Sequence, residues 1–230
     1  MKLRVINPND SQLMTEMIAH SCRSVAPMLD IDAVCAGAGV ASVEGFYDGA
    51  RATSGVLDRI AEGETAGCEG YLIACADDTA LHAARELAQG PVLGIGEAAM
   101  HAASLLGCGF SILTAQQKSV HILASNARSY GFGVHCQGVH AMQLPVLELE
   151  HSDNTDLQAN LIQRAQQIIA QDHSEVLVLG CAGLTTQQPM LQQALGLPVI
   201  DGVRVGILLL EALVRAGLRT SKHCSYSRAG

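Results

Sequence analysis

Val178-Leu179-Gly180-Cys181-Ala182-Gly183 is an apolar run that ends in one cysteine, with small residues directly after it. A run this short and this apolar reads as a strand buried on both faces, the kind found in parallel sheets. Tyr71-Leu72-Ile73-Ala74-Cys75-Ala76-Asp77 repeats the arrangement. Strands are predicted over Gly70 to Cys75 and Glu175 to Cys181, so each cysteine falls where strand gives way to loop and helix. Open α/β sheets bind ligands at that carboxyl edge, in the crevice beyond the strand ends. Two related halves would then offer two thiols to one small molecule.

Outward from these runs, strand and helix patterns alternate along nearly the whole chain. Strands are expected at Lys2 to Ile6, Asp30 to Cys35, Pro91 to Gly96, Gly109 to Ala115, His135 to Met142 and Pro198 to Asp201. A helix follows the first strand and runs to Val25. Further helices are expected at Tyr47 to Ala66, Asp78 to Ala88, Glu97 to Leu106, Ser119 to Tyr130, Thr155 to Gln171, Pro189 to Leu195 and Val203 to Ala216. Asp77 or Asp78 suits the N-cap of the Asp78 helix. This alternation predicts an α/β fold with mainly parallel sheets.

The landmarks recur. Cys75 precedes Pro91-Val92-Leu93-Gly94 by one residue less than Cys181 precedes Pro198-Val199-Ile200-Asp201. Val5 and Ile112 precede their cysteines by intervals that also differ by one residue. Four landmarks in one order at matching spacing predict a duplication. The expected architecture is two pseudo-symmetric half-domains, each a sheet flanked by helices, with the active site in the cleft between them. Residues 1–96 plus 203–222 would form the first half and 97–202 the second, with 223–230 a loose tail.

Composition narrows the function. The 230 residues are 49 % hydrophobic and 16 % charged, which supports a full core and argues against disorder. Aromatics are 3 %, Trp is absent and the net charge is −8, which argues against nucleic acid as a partner. No basic run suits anionic lipid, and Arg204 and Glu211 interrupt the most apolar region, so no membrane span is expected. The opening Met1-Lys2-Leu3-Arg4-Val5-Ile6 does not read as a secretory signal. A cytoplasmic location with free thiols is expected for the eight cysteines.

Several motifs fall short. Gly37-x-Gly39 and Gly94-x-Gly96 leave G-x-G-x-x-G incomplete, and no P-loop or nucleophile elbow occurs. Among the nine histidines, His135 and His140 lie near Cys136, and His223 precedes Cys224, without a zinc-site spacing. No metal is expected.

Cys75 and Cys181 stand apart from Cys22, Cys35, Cys68, Cys108 and Cys136, which read as small buried hydrophobes. At the loop edge, backbone N–H groups would favour thiolate. One thiolate can take a proton from a carbon acid while the other sulfur, still protonated, returns one to the opposite face. That is a two-base inversion without a cofactor. The alternative is that both thiols are structural.

On these residues the chain resembles the hydantoin racemases of the aspartate/glutamate racemase superfamily, which include allantoin racemases. The likeness is carried by Val5-Ile6-Asn7-Pro8-Asn9, Gly39-Val40-Ala41-Ser42-Val43-Glu44-Gly45, Ile73-Ala74-Cys75-Ala76-Asp77-Asp78, Ala84-Arg85-Glu86-Leu87, Gly94-Ile95-Gly96-Glu97-Ala98-Ala99, Leu179-Gly180-Cys181-Ala182-Gly183, Pro198-Val199-Ile200-Asp201-Gly202-Val203 and Thr220-Ser221-Lys222. The resemblance implies Cys75 and Cys181 as the catalytic pair, no cofactor, and a homo-oligomer. Ala76 stands where that branch has a bulky aromatic, which implies a reshaped pocket.

The expected substrate is a small neutral ring, a 5-substituted hydantoin or a ureide such as allantoin. Backbone groups of Gly180, Ala182 and Gly183, with the hydroxyls of Ser42 and Thr114, would hold the ring oxygens. Asn7 would face the cleft with Thr114 as its counterpart. Gly39, Val40 and Ile95 would complete the binding wall. A maleate-type isomerase and a two-lobed binding protein are the competing readings.

Overall fold

The computed structural model describes residues 1–150 and 154–227. In the first half, strands β1 (Lys2–Asn7), β2 (Asp30–Cys35), β3 (Gly70–Ile73) and β4 (Val92–Gly94) alternate with helices α1 (Gln12–Val25), α2 (Phe46–Thr65), α3 (Leu81–Leu87) and α4 (Ile95–Leu106). In the second, β5 (Phe110–Thr114), β6 (Cys136–Ala141), β7 (Val176–Leu179) and β8 (Val199–Asp201) alternate with α5 (Gln117–Ser129), α6 (Thr155–Asp172), α7 (Gln188–Leu195) and α8 (Gly202–Arg215). A 3-10 turn, Ala182–Gln187, lies between β7 and α7.

The strands form two four-stranded sheets of order β2-β1-β3-β4 and β6-β5-β7-β8. Every pairing is parallel. The duplication expected from the sequence is therefore present as two α/β halves of one topology. It extends to single hydrogen bonds. Ile6 pairs with Ile73, and the next N–H, that of Ala74, donates to the Ile6 carbonyl at 2.8 Å. Leu113 pairs with Leu179, and the Gly180 N–H donates to the Leu113 carbonyl at 2.8 Å.

Helices cover both faces of each sheet, which is why β3 and β7 read as unbroken apolar runs. All four residues of each are buried. Full burial of such a side chain contributes roughly 1.5–3 kcal/mol. The helices after β4 and β8 cross over. α8 packs on the first sheet, with Gly206 against Leu72 and with Leu210 and Val214 against Gly70. α4 packs on β7 of the second sheet. Their first turns touch where a Cβ on Gly202 would strike the Ile95 carbonyl.

Three expectations change. The helix expected from Asp78 begins only at Leu81, because Asp78 and Ala80 hold left-handed backbone with φ of 56° and 64°. Neither Asp77 nor Asp78 caps it. The strand expected to reach Gly96 ends at Gly94, and Gly96 belongs to the first turn of α4. The cysteine strands stop at Ile73 and Leu179, so both cysteines stand in the loops beyond.

The chain just before the segment expected as a loose tail, and Tyr226 within it, lie against α3. Lys222 Nζ donates to the Arg85 and Glu86 carbonyls at 2.7 and 2.8 Å, and Tyr226 meets His82 at 2.9 Å. Residues 228–230 lie outside the described residues. Among the described residues, no helix is long and apolar enough to cross a membrane.

Candidate active site

Each cysteine stands two residues beyond its strand, at the carboxyl edge of its sheet. The loops that carry them are tied across the halves. Asn126 on α5 donates to the Asp77 carbonyl at 2.9 Å, and the Tyr130 hydroxyl donates to the Asp78 carboxylate at 2.9 Å. On the other side, Thr185 in the Cys181 loop donates to Asp201 and lies 2.9 Å from Ser21 on α1. Each half thus holds the other half's cysteine loop.

Both cysteines line one small cavity that is partly open to solvent. Of the residues singled out in the sequence, Asn7, Cys75, Thr114, Gly180, Cys181 and Ala182 line it. Gly39, Val40, Ser42, Ile95 and Gly183 do not. Ile95 is buried where α4 meets α8, and Val40 is buried with its carbonyl taken by the Asp10 N–H. Ser42 turns its hydroxyl to Glu44 at 3.1 Å. Gly183 packs on Leu149 and Met14. The apolar wall comes instead from Met14, Val43, Leu123 and Val146. No periodicity in the sequence places these side chains together; they meet only because two sheet edges face each other.

The polar lining is largely occupied. Asn7 Nδ2 donates to Asn9, to Thr15 and to the Ser11 carbonyl, at 2.8, 2.9 and 3.2 Å. Its amide therefore fixes the turn after β1. Thr114 donates to the Gly180 carbonyl at 2.9 Å, directly behind Cys181. The Gly180 N–H is held by Leu113, so it is unable to meet a ring oxygen. The Ala76 and Ala182 N–H groups, each next to a cysteine, are taken by no other backbone group among the described residues.

Burial pushes the Cys181 thiol up to about 11, with the Asp77 and Glu44 charges adding to the shift and the Gly183 N–H opposing it. Burial also raises Cys75 well above the ordinary thiol range, followed by the charge of Asp77 and its hydrogen bond with the thiol. The backbone donors expected to favour thiolate are present at both sulfurs. Desolvation by the surrounding loops outweighs them, although both side chains keep part of their surface open to the cavity.

The chain matches the Asp/Glu/hydantoin racemase family over residues 3–210. It belongs to that family. A hydantoin racemase of Rhizobium meliloti is 40 % identical, covering 99 % of this chain and 94 % of the relative. One from Pseudomonas sp. (strain NS671) is 36 % identical, with 98 % and 91 % covered. The solved allantoin racemase from Klebsiella pneumoniae superposes with a TM-score of 0.95 at 43 % identity, covering 100 % of this chain and 94 % of that one. Arylmalonate decarboxylase, at 20 % identity and a TM-score of 0.67, shares the fold.

As a member of the racemase family the protein is an isomerase, and its remaining motifs take other places. Gly37 and Gly39, at φ of 73° and 72°, aim their N–H groups at the Asp10 carboxylate at 2.8 and 2.7 Å. His140 pairs with Asp172 at 2.6 Å, and His135 meets the Cys108 carbonyl at 3.0 Å. Asp77 lines the racemase cavity, although its position two residues after Cys75 first suggested a helix cap.

Proposed function

We propose that the protein racemises 5-substituted hydantoins, allantoin among them, by proton transfer at C5. Allantoin is itself a hydantoin with a ureido group on C5. The observation that carries this reading is that two cysteines, from equivalent positions of the two halves, line one small cavity. Relatives with the names hydantoin racemase and allantoin racemase support the substrate class.

The C5–H bond lies beside a ring carbonyl, so its electrons spread into an enolate when the proton leaves. The thiolate of one cysteine takes that proton and becomes a thiol. The other cysteine, a thiol, gives its proton to the opposite face of C5 and becomes the thiolate. Charge is conserved and the pair has exchanged states, ready for the opposite enantiomer. The Ala76 and Ala182 N–H groups, taken by no other backbone group among the described residues, serve in this reading as donors to the ring oxygens as negative charge builds. No external acid, base or cofactor enters this scheme.

Enantiopure 5-isopropylhydantoin and allantoin, followed by polarimetry and by chromatography for composition, test this reading. Rotation should decay to zero while composition stays constant, faster than in enzyme-free buffer. Unchanged rotation for both compounds would overturn the reading.

A further inference from the structure

Most of the cavity's side-chain donors are engaged by the protein itself, Asn9 Nδ2 by the Met14 sulfur at 3.3 Å. Asn7 donates into its own turn, Thr114 donates to Gly180, and Ser119 donates to the Glu44 carbonyl at 3.1 Å. No Lys, Arg or His is among the lining residues. The one carboxylate acceptor among the lining residues is Asp77. Its Oδ1 accepts from the Thr79 hydroxyl at 2.6 Å and from the Thr79 N–H at 3.2 Å. Apart from the Cys75 thiol, nothing among the described residues donates to Oδ2. That oxygen lies beside Gly49 of α2, at ordinary van der Waals distance from where a Cβ there would stand, while Asp77 also lines the cavity. Asn126 anchors the Asp77 carbonyl and so fixes the side chain's starting point.

We infer that Asp77 selects the substrate by accepting hydrogen bonds from N–H groups of the C5 substituent, so that ureido- and carbamoyl-bearing hydantoins are preferred over alkyl ones. This rests on the racemase reading above. Charge decides the orientation. A carboxylate against the enolate oxygen would oppose the negative charge that develops there, so the ring carbonyl turns to the backbone N–H side. The substituent then falls beside Asp77. A neutral substituent rich in N–H meets a charged acceptor, the stronger kind of hydrogen bond. An alkyl group gives that carboxylate no N–H partner in return for the water it displaces, and an anionic one meets repulsion with no cation among the lining residues.

The test is a specificity ratio: kcat/KM for allantoin divided by kcat/KM for 5-isopropylhydantoin, in wild type, Asp77→Ala and Asp77→Asn. Asp77 also raises both thiols, but that effect is common to the two substrates and cancels in the ratio. The ratio should fall at least tenfold in both variants, with the loss concentrated in KM for allantoin. Circular dichroism confirms folding, and Asp77→Asn keeps the shape of the side chain should Asp77→Ala lose structure. A ratio within twofold of wild type in a folded variant would overturn the assignment and leave the racemase reading intact. A wild-type enzyme inert on both substrates would sink both.

Discussion

The Asp78 carboxylate occupies the space that a Cβ on Gly94 would need. Its two oxygens accept the N–H groups of Gly96 and Glu97 at 2.8 Å each, so it caps α4 from a loop on a different strand. In the second half the equivalent of Gly94 is Asp201: Gly94 pairs with Ile73 and Asp201 with Leu179. There the carboxylate sits at the strand end and caps α8 through the Val203 N–H at 2.9 Å, while Thr185 reaches to it from the cysteine loop. The two halves place a buried carboxyl at the same spot from opposite sides.

Gly94→Ala should therefore force Asp78 off its cap. Overpacking of this kind costs about 1–3 kcal/mol. Denaturant unfolding should show that loss. Activity should fall with it, because Asp78 lies in the same loop as Cys75.

Stability should also depend on pH through these carboxyls. Burial pushes Asp78 up to about 7, the N–H donors of Gly96 and Glu97 and the Tyr130 hydroxyl opposing it in part. Burial likewise pushes Asp201 up to about 6, against the Thr185 hydroxyl and the Val203 N–H. Both folded-state values lie above the unfolded ones, so the fold binds these protons more tightly. Their contribution is complete below about pH 4 and is lost as pH rises through about 6 and 7. Asp201→Asn should flatten the pH dependence of unfolding free energy between pH 4 and 6. An unaltered slope in that variant would contradict the assignment.

Thr114→Val removes the hydroxyl that the Gly180 carbonyl accepts while keeping shape. Leaving that buried carbonyl without a donor costs about 1–3 kcal/mol. The Cys181 loop begins at this carbonyl. Racemisation should fall about tenfold, the cost of about 1.4 kcal/mol in the transition state. Thermal unfolding and initial rates measured on one preparation check both effects.

Much of this was legible in the chain. Buried strands such as β3 and β7 announce themselves because both faces are apolar, and the matched spacing around Cys75 and Cys181 exposes the duplication. The loop from Asp77 to Ala80 was not legible as a loop. Its left-handed residues are Asp78 and Ala80, and alanine there carries no glycine signal. Asp78 caps a helix that begins at the far end of another strand, a pairing that no local pattern encodes. The binding wall failed for the same reason. Val40 and Ile95 are apolar residues near glycines, but Ile95 is buried where α4 crosses α8 and Val40 in the loop held by Asp10, whereas Met14 and Val146 reach the cavity through tertiary packing alone.

The raised thiols set the pH dependence of turnover. With Cys181 at about 11 and Cys75 also raised well above the ordinary thiol range, the thiolate is the scarce form at neutral pH. For the free enzyme, kcat/KM should climb steadily from pH 7 to 10 without reaching a plateau. Iodoacetamide labelling of Cys75 and Cys181, read by peptide mass, should accelerate over the same interval. A plateau below pH 8 would show that these groups ionise more readily than their burial allows.

Hydrogen exchange in D₂O reaches the sulfur pair itself. Each enantiomer of a 5-substituted hydantoin is incubated with wild type, Cys75→Ser and Cys181→Ser, and C5 deuterium is followed beside optical rotation. Wild type should exchange and racemise both enantiomers. Each single variant should lose racemisation while retaining exchange on one enantiomer only, the opposite one in each case. Full racemisation by both serine variants would contradict the two-thiol account.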